Sequence, residues 1–232
     1  MESREKIVAI IIARGGSKGV PRKNVKKLCG KPLLCWTIDH CKNSKLIEDI
    51  WLSSEDPEIL GLAKKQDINV IERPDYLSGD EISSEEVLTH AINHISKSHP
   101  VKIIVSPQVT SPLRTSDDID KGIIEFTEGN FDSLFSCSLA QDLFYWEKNE
   151  HEELFSASYD YQARKRRQDI SNKYVENGSF YIFKPDVLTN LQNRLGYKIG
   201  VSVMESWKSF EIDNEEDFKI CSALMNEFHL IN

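Results

Sequence analysis

At 232 residues the chain is long enough to bury a full core, and its 40% hydrophobic and 28% charged residues are an ordinary soluble balance. Its formal net charge of −8 argues against a general nucleic-acid binder, which carries a basic footprint, so any anionic ligand must be held by local positive charge. No apolar run approaches the length of a membrane span, and Met1–Lys6 leads straight into a strand pattern; no membrane partner, no signal peptide and a cytoplasmic location are therefore expected.

In chain order, apolar runs at 7–13, 50–53, 69–71, 102–106 and 133–138 predict strands, and helical patterns at 32–43, 57–66, 84–96 and 116–128 lie between them. That alternation predicts an α/β fold with a mainly parallel sheet covered by helices. Pro32 suits the first turn of a helix, Ser83 with Glu86 forms a capping box, and Thr115 or Ser116 can cap the helix that carries Asp117 and Asp118. After Ser138 the rhythm breaks. Residues 140–175 are polar, aromatic and charge-rich without a clean period, and Phe144, Tyr145, Trp146, Phe155, Tyr159 and Tyr161 need burial somewhere, which predicts a lid or a subunit contact. Strands at 178–183 and 198–204 and a last helix over 214–229 complete a single domain of residues 1–232.

The first strand runs into Ala13-Arg14-Gly15-Gly16-Ser17-Lys18-Gly19-Val20-Pro21-Arg22-Lys23-Asn24. The glycines let the backbone bend and approach a ligand closely, while Arg14, Lys18, Arg22 and Lys23 surround it with positive charge. Backbone N–H groups beside cations form a site for phosphate oxygens. Neither a P-loop nor a dinucleotide fingerprint is present, so the residues alone leave a solvated basic loop as the alternative.

Three further clusters could carry chemistry. Gln108 and Thr110 follow a predicted parallel strand, at the end where α/β sheets bind ligands, and otherwise form a polar turn locked by Pro107 and Pro112. Arg164-Lys165-Arg166-Arg167 is the densest basic run; it is either a solvated face or a site for an acid, since a guanidinium can clasp a carboxylate with two hydrogen bonds. If the backbone at 210–213 is extended, Glu211 and Asp213 share a face and offer oxygen ligands to a hard cation such as Mg2+; otherwise they are helix-flanking acids in water. The His90/His94 pair lacks the Glu of a zinc protease motif, and the five cysteines, without a Cys-x-x-Cys pair, read as reduced thiols.

The loop at 13–24 and Gly30-Lys31-Pro32-Leu33 resemble the N-terminal signature of the acylneuraminate cytidylyltransferases, which make CMP-sialic acid and related CMP-nonulosonic acids. The resemblance recurs at Arg73-Pro74, Leu77–Asp80, Gln108–Arg114, Arg167-Gln168, Glu176–Gly178 and Glu211–Asp213, in family order over nearly the whole chain. It implies a three-layer nucleotidyltransferase fold and coupling of CTP to a sugar acid, with pyrophosphate released. It also implies that Ala13, Arg14, Gly15, Gly16, Lys18 and Lys23 meet the nucleotide phosphates, with Asn24 and Arg73 on the cytosine side and Ser84 beside base or ribose. Gln108, Thr110, Arg167, Gln168 and Asn177 then meet the sugar acid, and Asp213 with Glu211 holds Mg2+ where the familiar enzymes have Asp-x-Asp. Asp80 is expected to organise the 77–83 loop, Val175 stands where relatives often carry Arg, and the resemblance implies a homodimer built on the 140–175 excursion. Two alternatives remain: a nucleotidyltransferase for another sugar acid such as a 3-deoxy-octulosonic acid, and a non-catalytic nucleotide sensor.

Overall fold

The computed structural model describes residues 4–17, 19–79, 81–140, 144–164, 166 and 173–231. In β1 (Lys6–Ile12), Val8 and Ile10 enter one buried cluster while Ala9 and Ile11 enter another. A strand apolar on both faces must be covered on both, and this alternation makes the fold three-layered. The chain continues through a small hairpin, β2 (Lys27–Leu28) and β3 (Lys31–Pro32), into α1 (Leu33–Asn43), β4 (Asp49–Ser54), α2 (Pro57–Lys65) and β5 (Asn69–Glu72). Next come α3 (Ser84–Ile95), β6 (Val101–Pro107), α4 (Ser116–Glu128) and β7 (Ser133–Leu139). A second hairpin, β8 (Trp146–Lys148) and β9 (Leu154–Ser156), precedes β10 (Tyr174–Phe183), α5 (Pro185–Leu191), β11 (Ile199–Val203) and α6 (Glu215–Glu227).

The large sheet has the order β11-β7-β10-β6-β1-β4-β5. It is mainly parallel, as expected; β10 alone runs antiparallel to its neighbours β6 and β7. One face packs Leu33 and Ile38 of α1, Ile59 of α2, Ile123 of α4 and Met225 of α6; the other packs Leu88 and Ile92 of α3 and Leu188 of α5. Each fully buried Leu or Ile contributes about 1.5–3 kcal/mol, so this double cover holds the sheet together from both faces.

Most helix starts follow the sequence signals. Ser83 with Glu86 and Thr115 with Asp118 both form complete capping boxes. Pro32 differs: it occupies the N-cap, not the first turn, because its extended backbone (ψ 139°) belongs to β3 and pairs with Lys27. Two elements escape the periodicity. α5 is only seven residues long, and the β8–β9 hairpin leaves its side chains exposed. The aromatics of 144–161 are thus not buried in the fold. They pack on one another, with ring centroids of Phe144 and Tyr159 4.4 Å apart and of Trp146 and Tyr161 5.2 Å apart, while Trp146 stays 44% exposed.

The parallel half positions the site. β1, β4, β5 and β6 point the same way, so the residues that follow them, Ala13, Glu55, Arg73 and Gln108, emerge along one edge of the sheet.

Candidate active site

Two depressions meet at that edge. The first is a cleft of about 400 Å³ lined by Ala13, Arg14, Gly16, Lys23 and Asn24 of the glycine loop, by Arg73 and Ser84, and by Gln108 and Thr110. The second, about 630 Å³, is lined by Gln108, Asn177, Gly178, Glu211 and Asp213. Gln108 belongs to both, so the fold brings together the loop and the carboxylates that lie almost 200 residues apart in sequence. Lys18, Arg167, Gln168 and Asp80 lie outside the described residues.

The glycine loop is fixed by hydrogen bonds at both ends. The Ala13 N–H donates to the Ser53 carbonyl (3.1 Å), and Asn24 Nδ2 donates to the Arg14 carbonyl (2.8 Å). The Gly15 N–H donates to Glu55 Oε1 (2.7 Å), so this amide is engaged inside the protein, and Gly15 itself is absent from the cleft wall. The other Glu55 oxygen accepts from Arg73 Nη2. Glu55 therefore couples the loop to Arg73, a link that no sequence motif signals. Arg73 is 5% exposed, and its buried Nε has no hydrogen-bond partner among the described residues. That unsatisfied Nε has no surface of its own on the cleft, so Arg73 lines the wall through its other atoms. Arg22 turns away: its guanidinium pairs with Asp56 and Glu58 at the start of α2 and holds the Asp56 carboxyl below its ordinary range.

Lys23 joins the two depressions. Its Nζ donates to the Ile212 carbonyl (2.7 Å) and to Asp213 Oδ1 (3.1 Å). Gly19 presses on the same segment; a Cβ there would sit 2.1 Å from the Asp213 carbonyl oxygen. The 211–213 backbone alternates as the sequence predicts: Ile212 is buried in the core, while Glu211 and the exposed Asp213 line the second depression. The Ile212 N–H donates to the Thr110 carbonyl (2.8 Å), docking the carboxylates on the 108–111 turn.

That turn is held from beneath by Arg114, which is completely buried. Its Nη1 donates to the carbonyls of Gln108 (2.7 Å), Ser111 (2.9 Å) and Ser179 (3.0 Å), and Nη2 donates to Thr37 Oγ1 (2.6 Å). Burial pushes this guanidinium down to about 10, which still leaves it charged at neutral pH. Glu211 accepts from Ser111 Oγ (3.2 Å), and burial, followed by the Asp213 charge, raises its carboxyl above the ordinary range. Room for Glu211 comes from Gly178, whose φ of +61° falls at a register shift in β10; a Cβ there would lie 2.2 Å from Glu211 Oε1. Asn177 is spent internally: its Oδ1 accepts from Ser136 Oγ (2.7 Å) and its Nδ2 donates to Ser209 Oγ (3.3 Å). The wall of the first cleft also includes Arg194, from the loop after α5, which carries no motif and was not expected.

A model of the family described as cytidylyltransferase matches residues 8–229. The chain belongs to the cytidylyltransferase family. It is 30% identical over 230 residues to the post-translational flagellin modification protein B of Campylobacter coli, covering 97% of each chain. It is 31% identical over 226 residues to N-acylneuraminate cytidylyltransferase A of Danio rerio, covering 96% of this chain but only 51% of that protein. The chain thus spans about half the length of the latter relative. Among solved structures, a CMP:2-keto-3-deoxy-manno-octonic acid synthetase complexed with CTP superposes with a TM-score of 0.73 over 97% of this chain and 100% of its own; at 15% identity this establishes the shared fold. No helix among the described residues of this cytidylyltransferase is long and apolar enough to cross a membrane.

Proposed function

We propose that this cytidylyltransferase couples CTP to a nonulosonic acid, forming the CMP-sugar and pyrophosphate. The observation that carries this reading is the junction at Gln108, where the basic glycine-loop cleft opens into the Glu211/Asp213 basin. The 31%-identical N-acylneuraminate relative supports the sugar class. The octulosonic acid alternative draws only on a shared fold at 15% identity, and the sensor alternative leaves the retained carboxylates without a role.

The reaction joins the sugar's anomeric oxygen to the α-phosphorus and breaks the bond from that phosphorus to the β-phosphate bridging oxygen. Pyrophosphate leaves, and the hydroxyl proton passes to water. Such a displacement asks the protein for positioning and charge stabilisation, not for a covalent intermediate. Arg14 and the loop amides hold the triphosphate, with Lys18 as the expected second cation. Arg73 lies on the base side of the cleft, and Gln108 and Thr110 face the sugar acid. Arg167 and Gln168 remain the proposed carboxylate contacts.

Asp213 and Glu211 are the proposed ligands for Mg2+. Their chemistry fits: both donors are carboxylates on one wall, and among the described residues no group of three His, Cys, Asp or Glu side chains could hold a metal unaided. Mg2+ commonly takes one or two carboxylates and completes its shell with water and substrate phosphate. When bound, the ion supplies charge neutralisation for the phosphates. The chain's own residues hold that corner open through Ser111 and Gly178 and anchor it to the loop through Lys23.

The exposed aromatic cluster of 144–161 supports a homodimer built on this excursion, since a patch of this kind on a single copy marks an interaction surface. The defining experiment is pyrophosphate release from CTP, GTP and UTP with sialic, legionaminic, pseudaminic and 3-deoxy-octulosonic acids. Turnover with CTP and one of the three nonulosonic acids is expected; turnover only with the octulosonic acid, or none with CTP, overturns the reading.

A further inference from the structure

Across the sheet, the site residues have a fixed order. Arg73 follows β5 at one edge, Glu55 follows β4, the glycine loop follows β1, Gln108 follows β6, and Tyr181 lies on β10 beyond it. Neighbouring strands are about 4.8 Å apart, so β10 lies roughly 10 Å from β1, on the side opposite Arg73. A base at Arg73 with phosphates at the loop fills the β5-to-β1 side. The second substrate is left with the β6-to-β10 side.

Arg194 occupies that side. Its Cζ stands 4.5 Å from the centroid of the Tyr181 ring, and its Nε donates to Glu85 Oε1 (2.8 Å). The Tyr181 hydroxyl in turn donates to Glu176, so the plane of the guanidinium is backed by a ring that is itself tethered. The Arg194 side chain is 17% exposed and lines the first cleft, while Tyr181 and Glu176 line the second. Glu85 engages only Nε. Neither Nη of Arg194 donates to another described residue, which leaves its outer edge, with four N–H groups, free on the wall of the first cleft, beside the Tyr181 ring that lines the second.

We infer that Arg194 is a specificity-determining residue for the sugar acid, donating from its outer edge to an oxygen acceptor on that substrate and not to the nucleotide. The inference rests on the coupling reaction proposed above. A guanidinium held by an acid at Nε and by a ring on its face loses little freedom when it donates, which suits it to read an acceptor in one place. Two acceptors share this chemistry: the carboxylate and the carbonyl of an acylamino group.

The test is steady-state pyrophosphate release by wild type, Arg194→Ala and Arg194→Lys, with each substrate varied in turn, alongside CTP binding and thermal unfolding of each protein. The expected result is a rise of roughly tenfold or more in KM for the sugar acid in Arg194→Ala, the scale of one lost charge-assisted hydrogen bond. Arg194→Lys should recover only part, because an ammonium does not reproduce the planar fork. KM and Kd for CTP should stay within about twofold of wild type. Repeating the series with an analogue carrying hydroxyl in place of acylamino separates the acceptors. Equal losses on both sugars identify the carboxylate; a loss confined to the acylated sugar identifies the acyl carbonyl. An unchanged sugar KM, or a parallel rise in CTP KM or loss of thermal stability, overturns the inference. Absence of turnover by the wild type with every sugar acid is a different result, and overturns the coupling reaction itself.

Discussion

Glu211 shows how a single side chain is shaped by competing demands. Burial and the neighbouring Asp213 charge raise its carboxyl, so the folded protein favours the protonated form more than the unfolded chain does. A carboxyl with a raised folded value destabilises the native state once the pH passes its ordinary 4.5, and the penalty is complete above the raised value. Glu211→Gln is therefore expected to unfold at a higher temperature at neutral pH, by roughly 1–4 °C, with the advantage vanishing in acid. Pyrophosphate release should fall in the same variant; a calorimetric scan at several pH values beside the assay checks both signs. Asp213→Asn should lose metal-dependent turnover more steeply, and a Mg2+ titration that matches wild type would move the metal site elsewhere. Arg14→Ala should weaken CTP handling by roughly ten- to hundredfold, the scale of one charge-assisted hydrogen bond, measured as kcat/KM for CTP. Asn177 makes a different prediction. Because its amide bridges Ser136 and Ser209, Asn177→Ala should cost about 1–3 kcal/mol of stability, read by denaturant unfolding.

At the scale of elements, the glycine loop works because two other segments brace it. Glu55 ties it to Arg73, and Lys23 with Gly19 ties it to the 211–213 segment. Gly19→Ala places a Cβ 2.1 Å from the Asp213 carbonyl, a backbone atom that cannot rotate away, so the loop or the carboxylate segment must shift. Turnover should drop while the core stays intact, since Gly19 is exposed. Near-native activity would show that the two segments move independently. The glycine loop and the Glu211/Asp213 pair are legible in sequence because each is a short, local pattern. Glu55 and Arg194 carry no comparable signal: they act by reaching Arg73 and Glu85, 18 and 109 positions away.

For the whole molecule, the outstanding surface is the β8–β9 excursion. Tyr145, Trp146, Leu154, Phe155 and Tyr161 are each at least 43% exposed in a single copy. Wild type is expected to be a dimer in light scattering under the proposed assembly, and Trp146→Glu combined with Phe155→Glu a monomer, because charge on such a face is costly to bury. A wild type that is monomeric and active at micromolar concentration would contradict the homodimer. The core should be unaffected, since neither residue belongs to either of its two clusters.

The sequence by itself determined the alternation of strands and helices, the helix caps and the position of the glycine loop after the first strand, because periodicity, caps and glycine placement act over a few residues. The mainly parallel order of the sheet also follows from that rhythm. It did not determine the antiparallel direction of β10, the exposure of the 144–161 aromatics or the commitment of Asn177 to internal bonds. Those depend on which strand ends become neighbours. Tertiary structure alone placed Gln108 between the two depressions, closed the Glu55 link to Arg73, and set Arg194 over Tyr181. Hydrogen bonds and ring contacts reach only a few ångströms, so these pairings exist only after the two-sided hydrophobic core has fixed the register of the sheet.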